Sequence, residues 1–201
     1  MKYAKKSLGQ NFLTDKNIIK KIINLTEIRN NNILEIGPGK GALTEEILSR
    51  KPKSLTLIEK DYLLALELRK KFFKNKKIKV YNKDILDFDL GKIDKANLKI
   101  FGNLPYNISS QILIKFLKIK KWPPVFNDLV FMFQKELAEK IIGKFPSKDY
   151  GRLSIISNFR LKIIKKFIVS PNCFFPKPKI TSMIIHFQPT NNKNYKIRDI
   201  N

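Results

Sequence analysis

The sequence predicts an α/β protein: one doubly wound, mostly parallel sheet of seven strands, the last running antiparallel. Three observations carry this. Short runs that are apolar on both faces, as strands buried between two helical layers are, alternate with helix-periodic segments. Glycines and acids fall at the ends of successive runs, at the carboxyl edge where α/β sheets bind ligands. After Tyr150 the alternation gives way to two longer runs joined by a proline-rich connector, the pattern of a terminal antiparallel hairpin.

Asp15 is placed to cap a first helix that carries Ile18, Ile19, Ile22 and Ile23 on one side. Asn32–Ile36 (NILEI) is the first buried strand, and Leu43, Ile47 and Leu48 mark the helix after it. Residues 54–58 (SLTLI) form the second strand, followed by a helix with Leu63, Leu64 and Leu68 inward. The third and fourth strands are residues 78–81 and 98–101. Ser109 or Ser110 caps the next helix, which buries Ile112, Leu113, Phe116 and Leu117. Residues 129–133 are the fifth strand and 136–142 a fifth helix. Leu161–Val169 and residues 180–187 are the closing pair, joined by residues 170–179. Residues 1–188 are thus expected as one domain and the polar stretch 189–201 as a loose tail.

Composition narrows the partners. The net charge is +24 over 201 residues. Drift toward Lys, Asn and Ile codons explains some of this excess, but not where acids are excluded. No acidic residue falls between Asp149 and Asp199, whereas Arg152, Arg160, Lys162, Lys165, Lys166, Lys177 and Lys179 do. With the basic arm Lys2, Lys5 and Lys6, this predicts a polyanion partner, of which nucleic acid is the commonest. No apolar run approaches the roughly 20 residues of a membrane span, and no amphipathic Lys-rich helix suggests a membrane surface. The single cysteine, Cys173, excludes an internal disulfide framework and fits a reducing compartment, so the cytoplasm is expected. One histidine, His186, builds no metal cluster, and no metal is expected.

The candidate site is written on strand ends. Leu34 to Gly41 (LEIGPGKG) runs from the first strand into a helix, with Gly37, Gly39 and Gly41 letting backbone pass close to a ligand. Neither the dinucleotide spacing nor a phosphate-loop Gly-Lys-Ser/Thr is present. Glu59 ends the second strand, where a carboxylate takes both hydroxyls of a ribose. Asp84 follows the third, able to accept from an adenine amino group, with Ile85 flanking the ring. The fourth strand ends in Phe101-Gly102-Asn103-Leu104-Pro105-Tyr106-Asn107. Asn103 offers a side-chain carbonyl and Leu104 a backbone carbonyl to the two N–H groups of an exocyclic amine. Pro105 fixes its own φ and holds Leu104 extended, and Tyr106 offers a face for stacking. Each feature alone also fits an ordinary strand end or turn. Together they predict a nucleoside cofactor, S-adenosylmethionine rather than NAD, beside a base-binding pocket.

On these motifs the chain resembles the small-subunit ribosomal RNA adenine N6,N6-dimethyltransferases. The match is carried by Gly9 to Leu13 (GQNFL), Glu35 to Gly39 (EIGPG), Asn103 to Asn107 (NLPYN) and Phe174 to Ser182 (FFPKPKITS). Gln134 to Glu136 and Tyr150 to Ser154 (YGRLS) also fit. Lys177 departs from the family's usual proline. The resemblance implies a class I S-adenosylmethionine-dependent methyltransferase with a Rossmann-like core. Cofactor contacts would fall on Asn11, Leu13, Gly37, Glu59, Asp84 and Asn103, with the N-terminal segment folded over the site. It also implies a small C-terminal helical domain, of which residues 189–201 would be a remnant or link.

The implied reaction dimethylates N6 of two adjacent adenosines in the 3′-terminal hairpin of 16S rRNA, in the 30S particle, by a monomer active in ribosome biogenesis. Hydrogen bonds to Asn103 and to the Leu104 carbonyl would localise the amine lone pair, with acceleration coming from positioning and fixed dipoles. The target adenosine must leave its stack. Phe174 is the candidate second stacking face opposite Tyr106; Phe174 and Phe175 as core plugs is the other reading. Three alternatives stand beside this one: a large-subunit methyltransferase of the macrolide-resistance type, a non-catalytic assembly or transcription factor of the same fold, and a DNA adenine methyltransferase. Leu104, the YGRLS segment and the Pro-Lys-Ile-Thr-Ser hairpin favour the small-subunit group. Intact Glu59, Asp84 and Asn103 favour catalysis.

Overall fold

A computed structural model describes residues 10–93 and 96–191. The arm lysines, Gly9 and residues 192–201 of the expected tail lie outside the described residues. In chain order the elements are β1 (Phe12–Leu13), α1 (Lys16–Ile23), β2 (Asn32–Ile36), α2 (Ala42–Ser49), β3 (Ser54–Glu59), α3 (Tyr62–Lys71) and β4 (Ile78–Asn82). Then come β5 (Leu98–Asn103), α4 (Ser109–Leu117), β6 (Phe126–Gln134), α5 (Lys135–Ile142), α6 (Arg152–Arg160), β7 (Leu161–Val169), β8 (Phe174–Phe175) and β9 (Ser182–Pro189).

Seven strands form one sheet in the order β4-β3-β2-β5-β6-β9-β7. Pairing is parallel from β4 to β6, and β9 inserts antiparallel between β6 and β7. The chain winds outward from β2 through β3 and β4 in one direction and through β5 and β6 in the other. That reversal puts a topological switch point between the carboxyl ends of β2 and β5, where a crevice opens. The alternation along each strand feeds two cores. Leu34, Ile100 and Phe131 face α4 and α5, through Ile112, Phe116 and Ile141. Ile33, Phe101 and Val130 face α1, α2 and α3, through Ile22, Ile47 and Leu68.

Several expectations need correction. Leu63 is exposed, and α3 instead buries Leu64, Ala65 and Leu68. Neither Ser109 nor Ser110 caps α4; Ile108 holds the cap position, and Ser109 Oγ donates to the Tyr106 carbonyl at 3.1 Å. The expected strand at 180–187 begins at Ser182 and runs to Pro189, one residue into the expected tail. Thr190 is pinned as well, donating through its N–H to the Arg160 carbonyl and accepting from Trp122 Nε1. Helix α6 carried no periodic apolar signal because its buried side is Ser154, Ser157 and Arg160. The two-residue ribbon of β1 and β8 is too short for any periodicity to mark.

Strand β6 begins earlier than its apolar run because Asp128 is buried there in a polar network. It accepts from Lys99 Nζ (2.5 Å), Gln188 Nε2 (2.9 Å) and Thr26 Oγ1 (2.9 Å), and pairs with His186 Nε2 (2.6 Å). His186 is therefore a packed structural residue.

Candidate active site

At the switch point lies a cavity of about 350 Å³, within the range of small-molecule sites. Its walls include Asn11, Leu13, Gly37, Gly39, Glu59, Asp84, Ile85, Asn103, Leu104, Pro105 and Tyr106. All the sequence-predicted cofactor and base-binding positions thus meet in one place, with a single exception. Phe174 is 4 % exposed and packs in the inner core with Leu13, its partner across the ribbon, while Phe175 is exposed. The core-plug reading therefore describes Phe174 in this structure, and its ring is not part of the cavity wall.

Local sequence explains how each wall is held. In the loop after β2, Gly37 and Gly39 have φ of +64° and +58°, a region that side chains bearing Cβ avoid. A Cβ on Gly39 would also meet the Phe12 ring at 3.0 Å. The N-terminal segment therefore lies directly on the glycine loop, and Lys40 Nζ caps the same ring at 4.8 Å from its centroid. Gln10 Nε2 ties this segment to Asp61 Oδ2 at 3.1 Å.

The acids are oriented before any ligand arrives. Glu59 accepts from the Gly39 N–H (3.0 Å) and the Asp61 N–H (2.8 Å), one on each oxygen. Its burial raises its pKa, an effect those N–H groups partly oppose. A carboxylate has about four acceptor sites, so capacity for two hydroxyls remains. Asp84 accepts from Lys60 Nζ (2.7 Å) and the Leu86 N–H (2.9 Å). Burial pushes Asp84 up, but the Lys60 ammonium and that N–H outweigh it and hold the carboxyl below its usual range. Glu35, at the cavity floor, is pushed up to about 8 by burial despite the Thr44 hydroxyl bonded to it, with the Glu59 charge adding to the rise.

Asn103 ends β5 with its Nδ2 donating to the Asn11 carbonyl at 2.9 Å. A carbonyl partner requires the NH₂ end, so the amide cannot be flipped and its Oδ1 is left as the acceptor. Leu104 tucks its side chain over Gly102, where a Cβ would come within 2.5 Å of it. Tyr106 Oη lies 2.6 Å from Ser182 Oγ, and burial raises the phenol pKa, so it stays protonated at neutral pH.

Sequence reasoning missed Lys60, Glu35 and Ser182 as parts of the site. Lys60 follows Glu59 directly, a signal present but unread. Glu35 and Ser182 stand inside the quoted motifs, but their contacts with Glu59 and Tyr106 form only when distant segments meet.

Among the described residues, no group of three or more His, Cys, Asp or Glu could hold a metal, and no helix is long and apolar enough to cross a membrane. The family model for ribosomal RNA adenine dimethylase matches residues 1–201. The ribosomal RNA small subunit methyltransferase A of Pelagibacter ubique is 47 % identical over 196 residues, 98 % of this chain and 74 % of that one. A dimethyladenosine transferase from Plasmodium falciparum superposes with a TM-score of 0.79 at 30 % identity, covering 89 % of this chain and 63 % of that one. The 23S rRNA methyltransferase ErmE gives 0.76 at 28 % identity, over 92 % of this chain and 72 % of that one. The chain thus spans about two thirds to three quarters of these proteins' lengths. Its fold is that of the class I S-adenosylmethionine-dependent methyltransferases, and the chain belongs to the ribosomal RNA adenine dimethylase family.

Proposed function

We propose that this chain transfers methyl groups from S-adenosylmethionine to the N6 amines of two adjacent adenosines in the 3′-terminal hairpin of 16S rRNA, dimethylating each. One observation carries the reading: the Asn103 amide is locked by Asn11 with its oxygen as acceptor, at the edge of a cavity that also holds Glu59 and Asp84.

When bound, S-adenosylmethionine supplies an electrophilic methyl on its sulfonium. The remaining work belongs to the chain. Glu59 takes the ribose hydroxyls, Asp84 the adenine amino group, and Ile85 a ring face, while Asn11 and Leu13 close the cavity from above. Asn103 Oδ1 and the Leu104 carbonyl accept the two N–H bonds of the target amine. They localise its lone pair and aim it, and Tyr106 stacks on the base. Phe174 supports this wall from behind, through Leu13. The nitrogen becomes acidic only after attack, so its proton leaves to water with no general base.

The test is methyl transfer from tritiated donor to unmethylated 30S particles, 50S particles and naked DNA, with the product mapped. Label at two adjacent 16S adenosines is expected, and Asn103→Ala should abolish it while leaving donor binding partly intact. Label on 50S particles would move the chain to the group of ErmE. Wild-type turnover in Asn103→Ala would refute the role given to that amide.

A further inference from the structure

The loop joining α5 to α6, residues 143–151, lines no part of the cavity, yet it is built with care. The Ser147 N–H donates to the Lys144 carbonyl (2.8 Å) and the Tyr150 N–H to the Ser147 carbonyl (3.0 Å). Asn158 Nδ2 reaches the Gly143 carbonyl at 3.2 Å, and the Gly151 N–H donates to Ser154 Oγ at 3.0 Å. Gly143 packs so closely on the Asp149 carbonyl that no Cβ fits there. These bonds close the loop on itself.

On that closed loop sit two aromatic rings in solvent. Phe145 is 79 % exposed and Tyr150 43 %. They meet edge to face, with centroids 5.9 Å apart and planes at 77°. An edge-to-face contact steadies both rings, and most of the Phe145 surface stays open to solvent. A ring this exposed adds little to the core, so the core does not explain its placement. The charges around it point to a ligand class. Lys140, Lys144, Lys148 and Arg152 are all exposed, against one acid, Asp149, in residues 140–152. Open π faces among cations are what unpaired nucleotides bind, the rings stacking on bases and the cations meeting phosphates.

The loop's place in the fold supplies the geometry. The start of helix α5 is linked to the cavity wall: the Lys135 N–H donates to the carbonyl of Thr181, next to the Ser182 that holds Tyr106, and Tyr106 lines the cavity. Eight residues of helix advance about 12 Å, the length of three to four stacked nucleotides at about 3.4 Å each. We propose that Phe145 and Tyr150 form a stacking platform for an unpaired base of the rRNA strand flanking the target adenosine. Lys144, Lys148 and Arg152 hold that strand's phosphates. The proposal rests on the rRNA methyltransferase reading above and adds a contact to it.

Steady-state methylation of unmethylated 30S particles by Phe145→Ala, Phe145→Leu and Phe145→Trp variants tests it. Phe145→Ala and Phe145→Leu should raise KM for 30S particles by about five- to fifty-fold, as loss of one base stack does. Their kcat at saturation, donor affinity by calorimetry and melting temperature should stay at wild-type values, and Phe145→Trp should keep the wild-type KM. An unchanged KM in Phe145→Ala would overturn the platform while leaving the methyltransferase reading intact. A wild-type KM in Phe145→Leu would also overturn it, pointing to an apolar contact with a ribosomal protein. A wild-type chain that methylates no 30S particle would overturn both.

Discussion

Tyr106 Oη and Ser182 Oγ lie 2.6 Å apart although 76 positions separate them in the chain. This hydrogen bond joins the Asn-Leu-Pro-Tyr turn after β5 to the first residue of β9, so two motifs of the sequence are physically one wall. Ser182 is fully buried, and losing its partner leaves a hydroxyl unsatisfied at a cost of about 1–3 kcal/mol. Tyr106→Phe should therefore lower Tm by several degrees, at roughly 2–4 °C per kcal/mol for a chain of this size. Ser182→Ala should do the same, and the double variant should cost clearly less than the two singles added. Additive losses in thermal melts would show that the two hydroxyls are not energetically coupled.

Gly39→Ala strains two things at once. It forces a side chain into left-handed backbone, at about 1–2 kcal/mol, and pushes a methyl against the Phe12 ring. Because Phe12 belongs to the N-terminal segment that lines the cavity, that segment should be displaced. Donor affinity measured by calorimetry should fall about tenfold or more. An unchanged affinity would mean that the segment does not close on the cofactor.

How much of this was legible in the sequence follows from which forces act locally. Strands β2, β3 and β5 were readable because burial on both faces forces near-continuous apolar runs, and Glu59 and Asn103 because they end β3 and β5; Asp84 was readable because it follows β4, the next strand in the alternation. Helix α6 was not, because its buried side is two serines and an arginine rather than an apolar stripe, and the arginine's partner, the Ile119 carbonyl, is far away in sequence. The position of Phe174 was ambiguous for a related reason. Two adjacent phenylalanines on a strand must face opposite ways, and only pairing with β1 decides which goes inward: Phe174 follows Leu13 into the core, and Phe175 is left outside. The Asn103 amide could be identified as a donor–acceptor pair, but its orientation depends on Asn11, which lies 92 residues away.

Glu35 gives the fold a pH dependence of definite sign. Its carboxyl is held neutral up to about pH 8 in the folded chain, mainly by burial, whereas in the unfolded chain it ionises near 4.5. Between those values the unfolded state has lost a proton that the native state keeps, so this group lowers stability as pH rises from about 4.5 to 8. Glu35→Gln keeps the shape and the bond from Thr44 but cannot ionise. The variant should melt higher than wild type at pH 7.5 and at about the same temperature at pH 4.5. A constant difference across that range would mean that Glu35 is already ionised in the native state.

Asp128 has the opposite sign and a different job. Burial alone would raise its pKa, but bonds from His186, Lys99 and Gln188, with the Lys99 charge, hold the carboxyl far below the usual range. The native state thus keeps this group ionised where the unfolded chain would protonate it. The stability it contributes is present above about pH 3.8 and drains away as pH falls below that. Replacing it by asparagine keeps the shape but strands the buried Lys99 ammonium without its counter-charge, the kind of change that costs about 3–5 kcal/mol. Asp128→Asn should therefore unfold at lower urea at pH 7, and its stability should vary less with pH below 4 than that of the wild type. The network lies at the amino ends of β5 and β6, away from the cavity. Donor affinity should accordingly survive in the folded fraction, and that separates a structural loss from a catalytic one. Donor affinity lost in step with stability, under conditions where the variant is fully folded, would instead place Asp128 in communication with the site.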